Sequence, residues 1–308
     1  MPGTRPRPPL LLAARPLDAH KGLFGRVLIV GGSRGMIGAP ALAAHAALRS
    51  GAGLAQIAVP RPVQLAVAVL APCATTLPLP ADAAERIAPS ADGALRRRAA
   101  EWADVVAIGP GMERSAGGAR LVDRLLTTLR CPVVLDADGL NNACAAPAAL
   151  RSPRRAALVL TPHAGEAARL LAALRIHIDP VRDRRAAATQ LARAVHGVVV
   201  LKGHHTLVCD GRRLYENPTG NPGLATGGTG DVLTGIIAAL LGQRLSPFDA
   251  ARLGTFVHGL AGDLAAAKYG EAALIATDLM DALPAALRSC TARRRRTRAR
   301  RPGRARRT

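Results

Sequence analysis

Short apolar runs recur along the chain, each closed by glycine or a polar cluster: RVLIVGG, LAQIAVP, DVVAIGPG, PVVLDADG, ALVLTPH and GVVVLKG. Stretches with helical character, such as the alanine-rich APALAAHAALRS, lie between them. Uninterrupted apolar runs are what strands buried on both faces require, and strands separated by helices pair in parallel. The predicted class is α/β, a largely parallel central sheet with helices on both faces. After Lys202 the pattern changes: TLVCDGRRLYEN alternates around Asp210-Gly211, a favoured two-residue hairpin turn, and predicts an antiparallel edge or flap. NPGLATGGTGD comes next and runs into VLTGIIAALLG, where Val232, Leu233, Ile236, Ile237, Leu240 and Leu241 recur at helical spacing, so the glycine-rich stretch opens a helix. A further helix starts near Ser246-Pro247, a cap followed by proline, with Leu253, Val257, Leu260 and Leu264 on one face. LPLPADAAERIAPSADG reads as a surface connection, and the core pattern stops beyond Ser289.

Composition narrows the class. The 308 residues are 49% hydrophobic, enough for one large domain. No run reaches the roughly 18 to 20 apolar residues of a membrane span. The N-terminal RPRPPLLLAARPLDAHKG is broken too early by Arg15 and Pro16 for a signal peptide. Cys73, Cys131, Cys144, Cys209 and Cys290 form no close pair and read as reduced, mostly packed thiols. A cytoplasmic protein without membrane contact is expected.

The net charge of +21 suggests a nucleic-acid partner, but the last 18 residues, TARRRRTRARRPGRARRT, hold ten arginines and no acid. Such a block is expected to stay disordered and to touch polyanions non-specifically. The rest lacks stacking aromatics and any nucleic-acid motif. The chain therefore divides into an N-terminal extension (1–20), one domain (21–290) and an arginine-rich tail (291–308). Only Lys21, Lys202 and Lys268 among the 42 basic residues are lysines. A lysine kept against that bias, as at Lys202, points to a place that wants a compact ammonium.

The glycines of GGTGD permit positive φ and close backbone approach, while the first N–H groups of the helix and its dipole make an anion hole. Asp231 either caps that helix or takes a proton from a hydroxyl attacking a phosphoryl group. The glycines, the acid and an apolar helix in sequence after a parallel α/β pattern favour the second use. The spacing fits neither the phosphate loop ending in Gly-Lys-Ser/Thr nor the dinucleotide fingerprint. A second glycine turn, with Gly31, Gly32, Gly35 and Gly38, lacks an acidic residue after the following strand, which disfavours a Rossmann site and leaves a backbone contact to a ligand. Asp136, Asp138, Asn141 and His163 follow buried strands and should gather at one rim, each alternatively a turn cap or a structural group. Glu166 either caps or pairs locally in the next helix. Lys202, with Thr206 four residues on, either holds nucleotide phosphates or points to solvent.

Taken in order, KGLFGRVLIVGGSRGMIGAPALAAHAALRSGAGL, AIGPGM, VVLDADGLN, LTPHAGE, VVLKGHHTLV, NPGLATGGTGDVLTGIIAALL and FVHGLAGDLAA resemble the NAD(P)H-hydrate dehydratase family of the ribokinase-like superfamily. The resemblance runs from Lys21 to about Leu287. It implies nucleotide-dependent dehydration of the S-epimer of hydrated NADH or NADPH: phosphorylation of the ring hydroxyl, then loss of phosphate. Asp231 would be the base, with Gly228, Thr229 and Gly230 forming the anion hole. Ala39, Gly111, His163 and Asp231 would contact the hydrate. Lys202, Gly203, His204, His205, Thr206 and Gly230 would contact the nucleotide. Mg2+ would bridge phosphates, assisted by Asp136 or Asp138. The chain shows no fused epimerase domain, which together with the arginine bias makes ADP the expected co-substrate, yielding AMP and phosphate, with ATP as the alternative. A homotetramer is implied. Pro72-Cys73 stands where relatives often carry Pro-Glu. The competing reading is a kinase of a small alcohol such as a thiamine precursor, using the same anion hole.

Overall fold

The computed structural model describes residues 6–152 and 156–292. Its strands are β1 (Arg26–Val30), β2 (Leu54–Pro60), β3 (Thr75–Leu79), β4 (Val105–Ile108), β5 (Val133–Leu135), β6 (Leu158–Leu160), β7 (Val198–Leu201), β8 (Leu207–Cys209) and β9 (Leu214–Glu216). Its α-helices are α1 (Gly38–Arg49), α2 (Gln64–Leu70), α3 (Asp92–Trp102), α4 (Ala116–Thr128), α5 (Ala137–Cys144), α6 (Pro147–Arg151), α7 (Ala164–Ala173), α8 (Arg184–Ala194), α9 (Thr229–Gly242), α10 (Pro247–Tyr269) and α11 (Ala276–Ser289).

One nine-stranded sheet runs in the order β3-β2-β1-β4-β5-β6-β7-β8-β9. Pairing is parallel as far as β7 and antiparallel through β8 and β9. Successive strand residues send their side chains to opposite layers. Val27, Ile29, Val105, Val134 and Val200 pack with α1, α2, α9, α10 and α11, whereas Leu28, Val30, Ile108, Leu135 and Leu201 pack with α3 to α8. This two-sided burial explains the uninterrupted apolar runs and matches the predicted α/β class.

Two expectations need correction. LPLPADAAERIAPSADG is not merely a connection, because its first residues complete β3, with Leu79 fully buried. β3 is an edge strand, so Pro78 removes no ladder donor that the sheet needs. The hairpin turn lies one residue later than Asp210-Gly211. Cys209 faces Leu214 and Asp210 N–H donates to Arg213 O, leaving Gly211 and Arg212 at the centre. The Asp210 carboxylate accepts from the N–H groups of Arg212 and Arg213, which fixes it as the residue before the turn.

At the ends of the described chain, Leu12 N–H donates to Cys290 O, and Ala292 N–H donates to Leu12 O. Leu10 and Leu12 pack against the core. The arginines of the expected tail, residues 293–308, lie outside the described residues. Among the described residues, no helix is long and apolar enough to cross a membrane.

β1 is the point at which the chain reverses across the sheet, with β2 on one side and β4 on the other. The crevice beyond the carboxyl ends of strands at such a point is where open α/β sheets bind ligands. The glycine turns after β1 and β4 meet there. Farther along the same rim come the ends of β5, β6 and β7 and the start of α9.

Candidate active site

The site is built from the start of α9. Gly228 is the N-cap with φ 89 and no side-chain cap, so the first N–H groups of α9 lack helical partners and face outward. A Cβ at Gly228 would lie 2.7 Å from Leu42 Cδ1, so both conformation and space require glycine. The Thr229 hydroxyl holds the turn from within, shared between Leu224 O at 2.9 Å and Thr226 O at 3.0 Å.

Facing this turn is a cluster of charges delivered by three strand ends. Asp136 follows β5 and is almost fully buried. It accepts from Lys202 Nζ at 2.9 Å and from the Thr234 hydroxyl at 2.7 Å. Lys202 follows β7, and its Nζ also lies 3.7 Å from Glu166, in the first turn of α7. Burial alone would raise the Asp136 carboxyl, but the ammonium and hydrogen bonds overcome it and hold the group below its ordinary range. Burial likewise works against the Lys202 charge, and Asp136 and Glu166 more than offset it, so Lys202 stays protonated. Burial pushes the Glu166 carboxyl up despite Lys202.

Asp231 lies in the first turn of α9, one turn before Thr234 on the same face. Its pKa is pushed up to about 7, first by burial and then by the charge on Asp136, against the pull of Lys202. A carboxyl poised near neutrality is what general-base catalysis favours. A Cβ on Gly230 would stand 3.4 Å from Lys202 Nζ, so the bare backbone of the turn and the ammonium border the same space. Donors for an anion, a fixed cation and a poised base therefore converge.

The turns after β1 and β4 form a second wall. Ser33 Oγ lies 2.9 Å from both Gly111 O and Glu113 Oε1, tying the two turns together. A Cβ at Gly111 would lie 3.3 Å from that of Ala39, so these two residues are neighbours. His163 caps α7 through Nδ1, which accepts from Gly165 N–H at 3.0 Å, while Glu166 accepts from His163 N–H at 2.8 Å. The imidazole is thereby fixed beside Glu166, with just over half of its side chain exposed at the rim.

Other expected residues bond to partners outside this charge cluster. Asp138 accepts from Asn141 Nδ2 at 2.9 Å, and Asn141 accepts from Arg169. Gly203, His204 and His205 form an exposed turn after Lys202. The Thr206 hydroxyl closes that turn onto Gly203 O at 3.0 Å. His205 leans towards Glu216 of β9, at 3.6 Å. Arg184 donates to His204 O and to Leu201 O beneath the turn. Sequence reasoning gave no weight to Arg184, Thr234 or His258, whose Nε2 lies 2.9 Å from Thr229 O. Among the described residues, no group of three or more His, Cys, Asp or Glu side chains is arranged to hold a metal ion. A cleft of about 720 Å³ at the amino ends of β4 and β5 lies at the opposite end of the sheet, and its one carboxylate, Asp104, pairs with Arg26.

Thr234 gives a direct test of the cluster's energetics. Thr234→Val keeps the shape and removes a donor from a buried carboxylate, which costs about 1.5–3 kcal/mol. Urea unfolding at pH 7 should show a lower midpoint with an unchanged slope.

Comparison with known proteins follows the same line. The NAD(P)H-hydrate dehydratase family matches residues 27–285. A bifunctional NAD(P)H-hydrate repair enzyme of Moorella thermoacetica is 48% identical over 280 residues, covering 90% of this chain and 52% of the relative. The chain thus spans about half the length of the curated relatives it matches. An ADP/ATP-dependent NAD(P)H-hydrate dehydratase from Bacillus subtilis, co-crystallized with ATP and Mg2+, superposes with a TM-score of 0.76 at 30% identity, covering 90% of this chain and 94% of that one. A ribokinase-like superfamily protein from Enterococcus faecalis gives 0.77 at 27% identity, covering 91% and 93%.

Proposed function

This chain belongs to the NAD(P)H-hydrate dehydratase family, and from that membership we propose that it repairs hydrated NADH and NADPH, using an adenine nucleotide as phosphoryl donor. The observation that carries the reading is the convergence of the α9 anion hole, Lys202 and a carboxyl whose pKa is about 7. In the proposed reaction the ring hydroxyl of the S-epimer attacks the terminal phosphoryl group while Asp231 takes its proton. The bare amides of Gly228 to Gly230 and the Lys202 ammonium receive the charge that develops on the transferred oxygens. The C–O bond then breaks with release of phosphate, a proton leaves the adjacent carbon, and the ring double bond returns. With ADP, the expected donor, the other product is AMP.

Ala39, Gly111 and His163 are assigned to the hydrate side. Lys202 to Thr206, with Gly230, are assigned to the nucleotide side, supported by the Arg184 brace beneath that turn. Magnesium binds nucleotides through phosphates and commonly needs only one or two protein carboxylates, so the lack of a three-residue cage among the described residues fits its use here. Asp136 or Asp138 would assist in holding it; Asp136 is bonded to Lys202 and Thr234, Asp138 to Asn141, and the nearby Glu166 to His163 N–H. Such an ion supplies neutralisation of phosphate charge.

Residues 1–20 as an extension, 21–290 as the catalytic domain and 291–308 as a polyanion-contacting tail complete the proposal, with the cytoplasm as the place of work. Exposed Leu65 and Val69 on α2, 74% and 73% accessible, support assembly into the expected homotetramer. The small-alcohol kinase reading has no observation in its favour over this one.

Chemically hydrated NADH mixed with protein, Mg2+ and ADP or ATP should regain absorbance in the reduced-nicotinamide band, with phosphate released in equal amount. A folded protein that restores no absorbance with either nucleotide would sink the proposal.

A further inference from the structure

Helix α10 carries none of the residues assigned to hydrate or nucleotide, yet it is tied to the segment that leads into the anion hole at five places. Asn217 Nδ2 donates to Thr255 O at 3.1 Å and the Thr219 hydroxyl to Phe256 O at 2.9 Å. Both oxygens of Asp263 are used: Gly220 N–H donates to one at 3.1 Å, and Asn221 Nδ2 to the other at 3.0 Å. The fifth tie is His258 Nε2, 2.9 Å from Thr229 O. A carbonyl only accepts, so Nε2 carries the proton.

The face of α10 that meets this segment is kept bare. A Cβ at Gly259 would lie 2.3 Å from Thr219 Oγ1, and one at Gly262 would lie 2.7 Å from Leu224 Cδ2. Residues 217–224 therefore rest directly on the helix, and Leu224 O in turn holds the Thr229 hydroxyl. The bond from His258 reaches past this segment to the first residue of α9, where the amides of the anion hole are aimed.

We propose that α10 is the positioning element of the anion hole, with His258 and Asp263 as positioning residues that fix the direction of the Gly228 to Gly230 amides. His258 sits at the root of the hole, Asp263 at the entry of the loop. Burial lowers the His258 pKa to about 4, so the tie stays a neutral hydrogen bond across the working range of pH and adds no positive charge behind the site. The catalytic consequence rests on the activity proposed above; the structural one does not.

The test compares His258→Leu, His258→Gln and Asp263→Ala in the full chain. Amide hydrogen exchange is followed over residues 217–231, and steady-state turnover is measured with hydrated NADH, Mg2+ and ADP. Leu removes the donor, whereas the side-chain amide of Gln can donate to the same carbonyl. In His258→Leu, exchange at residues 229–231 should quicken. Its kcat should fall about ten- to a hundred-fold with KM for the hydrate within about twofold, because a misaimed anion hole forfeits stabilisation realised only in the transition state. Gln should recover most of both losses, and Asp263→Ala should quicken exchange over residues 219–224. The idea is overturned if His258→Leu exchanges and turns over like the wild type, or if Gln behaves no better than Leu. Should the Leu variant fail to fold, unchanged exchange in Asp263→Ala overturns it equally. If the wild type itself shows no dehydration, the functional reading falls, while the exchange data still decide whether α10 is a brace.

Discussion

Asp231→Asn should lose turnover by about 10²- to 10⁴-fold, the ordinary contribution of a positioned general base, and should at the same time yield a more stable protein at pH 8. The two effects share one cause. Folding encloses the Asp231 carboxyl next to Asp136 and lifts its pKa to about 7, whereas in the unfolded chain it titrates near about 4. Between those values the folded state binds the extra proton, so stability falls as pH rises through the interval. Asparagine carries no such cost. The variant should gain on the order of 1–3 kcal/mol at pH 8, a figure reduced because water reaches part of the side chain, and the gain should vanish below about pH 4. Thermal melts of both proteins at pH 4, 6 and 8 read the difference directly. In the wild type, kcat/KM should drop below about pH 7 as Asp231 becomes protonated. A variant that keeps its activity would remove Asp231 from the role of base.

Lys202→Met should have the larger effect on the fold. It leaves Asp136, and Glu166 beside it, enclosed without their counter-charge. Removing one partner of a buried pair costs about 3–5 kcal/mol. Methionine fills much of the same volume, so packing contributes little to the loss. The ammonium is what holds Asp136 ionised against burial, so the penalty should be greatest at pH 7 and should shrink as pH falls and the carboxyls take up protons. Urea midpoints at pH 7 and pH 5 separate this electrostatic cost from a pH-independent packing defect. Adenine nucleotide binding, measured calorimetrically with Mg2+, should be lost in the same variant. Equal midpoints for variant and wild type at pH 7 would show the pair to be energetically idle.

Much of this arrangement is legible in the sequence, for identifiable reasons. β1, β2 and β4 to β7 are enclosed by helices on both sides, so their apolar runs stand out. β3 is not legible, because an edge strand tolerates Pro78 and exposure along one side. The hairpin is placed one residue too early because Asp-Gly is a strong turn signal, whereas here the aspartate caps the turn from outside it. Asp231 and its glycines can be read from local order. Lys202 stands out through the scarcity of lysine. Its pairing with Asp136 cannot be read that way, since 66 residues separate the partners and only the ends of β5 and β7 bring them together. Thr234 and His258 escape notice for a different reason. Each stands between apolar or glycine neighbours in its helix, Thr234 between Leu233 and Gly235 and His258 between Val257 and Gly259, and periodicity assigns such positions to the core without naming a partner.

The pairing of Leu12 with Cys290 and Ala292 places the chain near its described start, at Leu12, beside its last described residues. A short flexible linker between them would close the backbone into a ring without crossing the sheet, and the ring could be reopened at an exposed loop. For the same reason the whole unit is suited to grafting into a surface loop of a host protein, entering and leaving at one point, as a self-contained insert rather than as a terminal fusion.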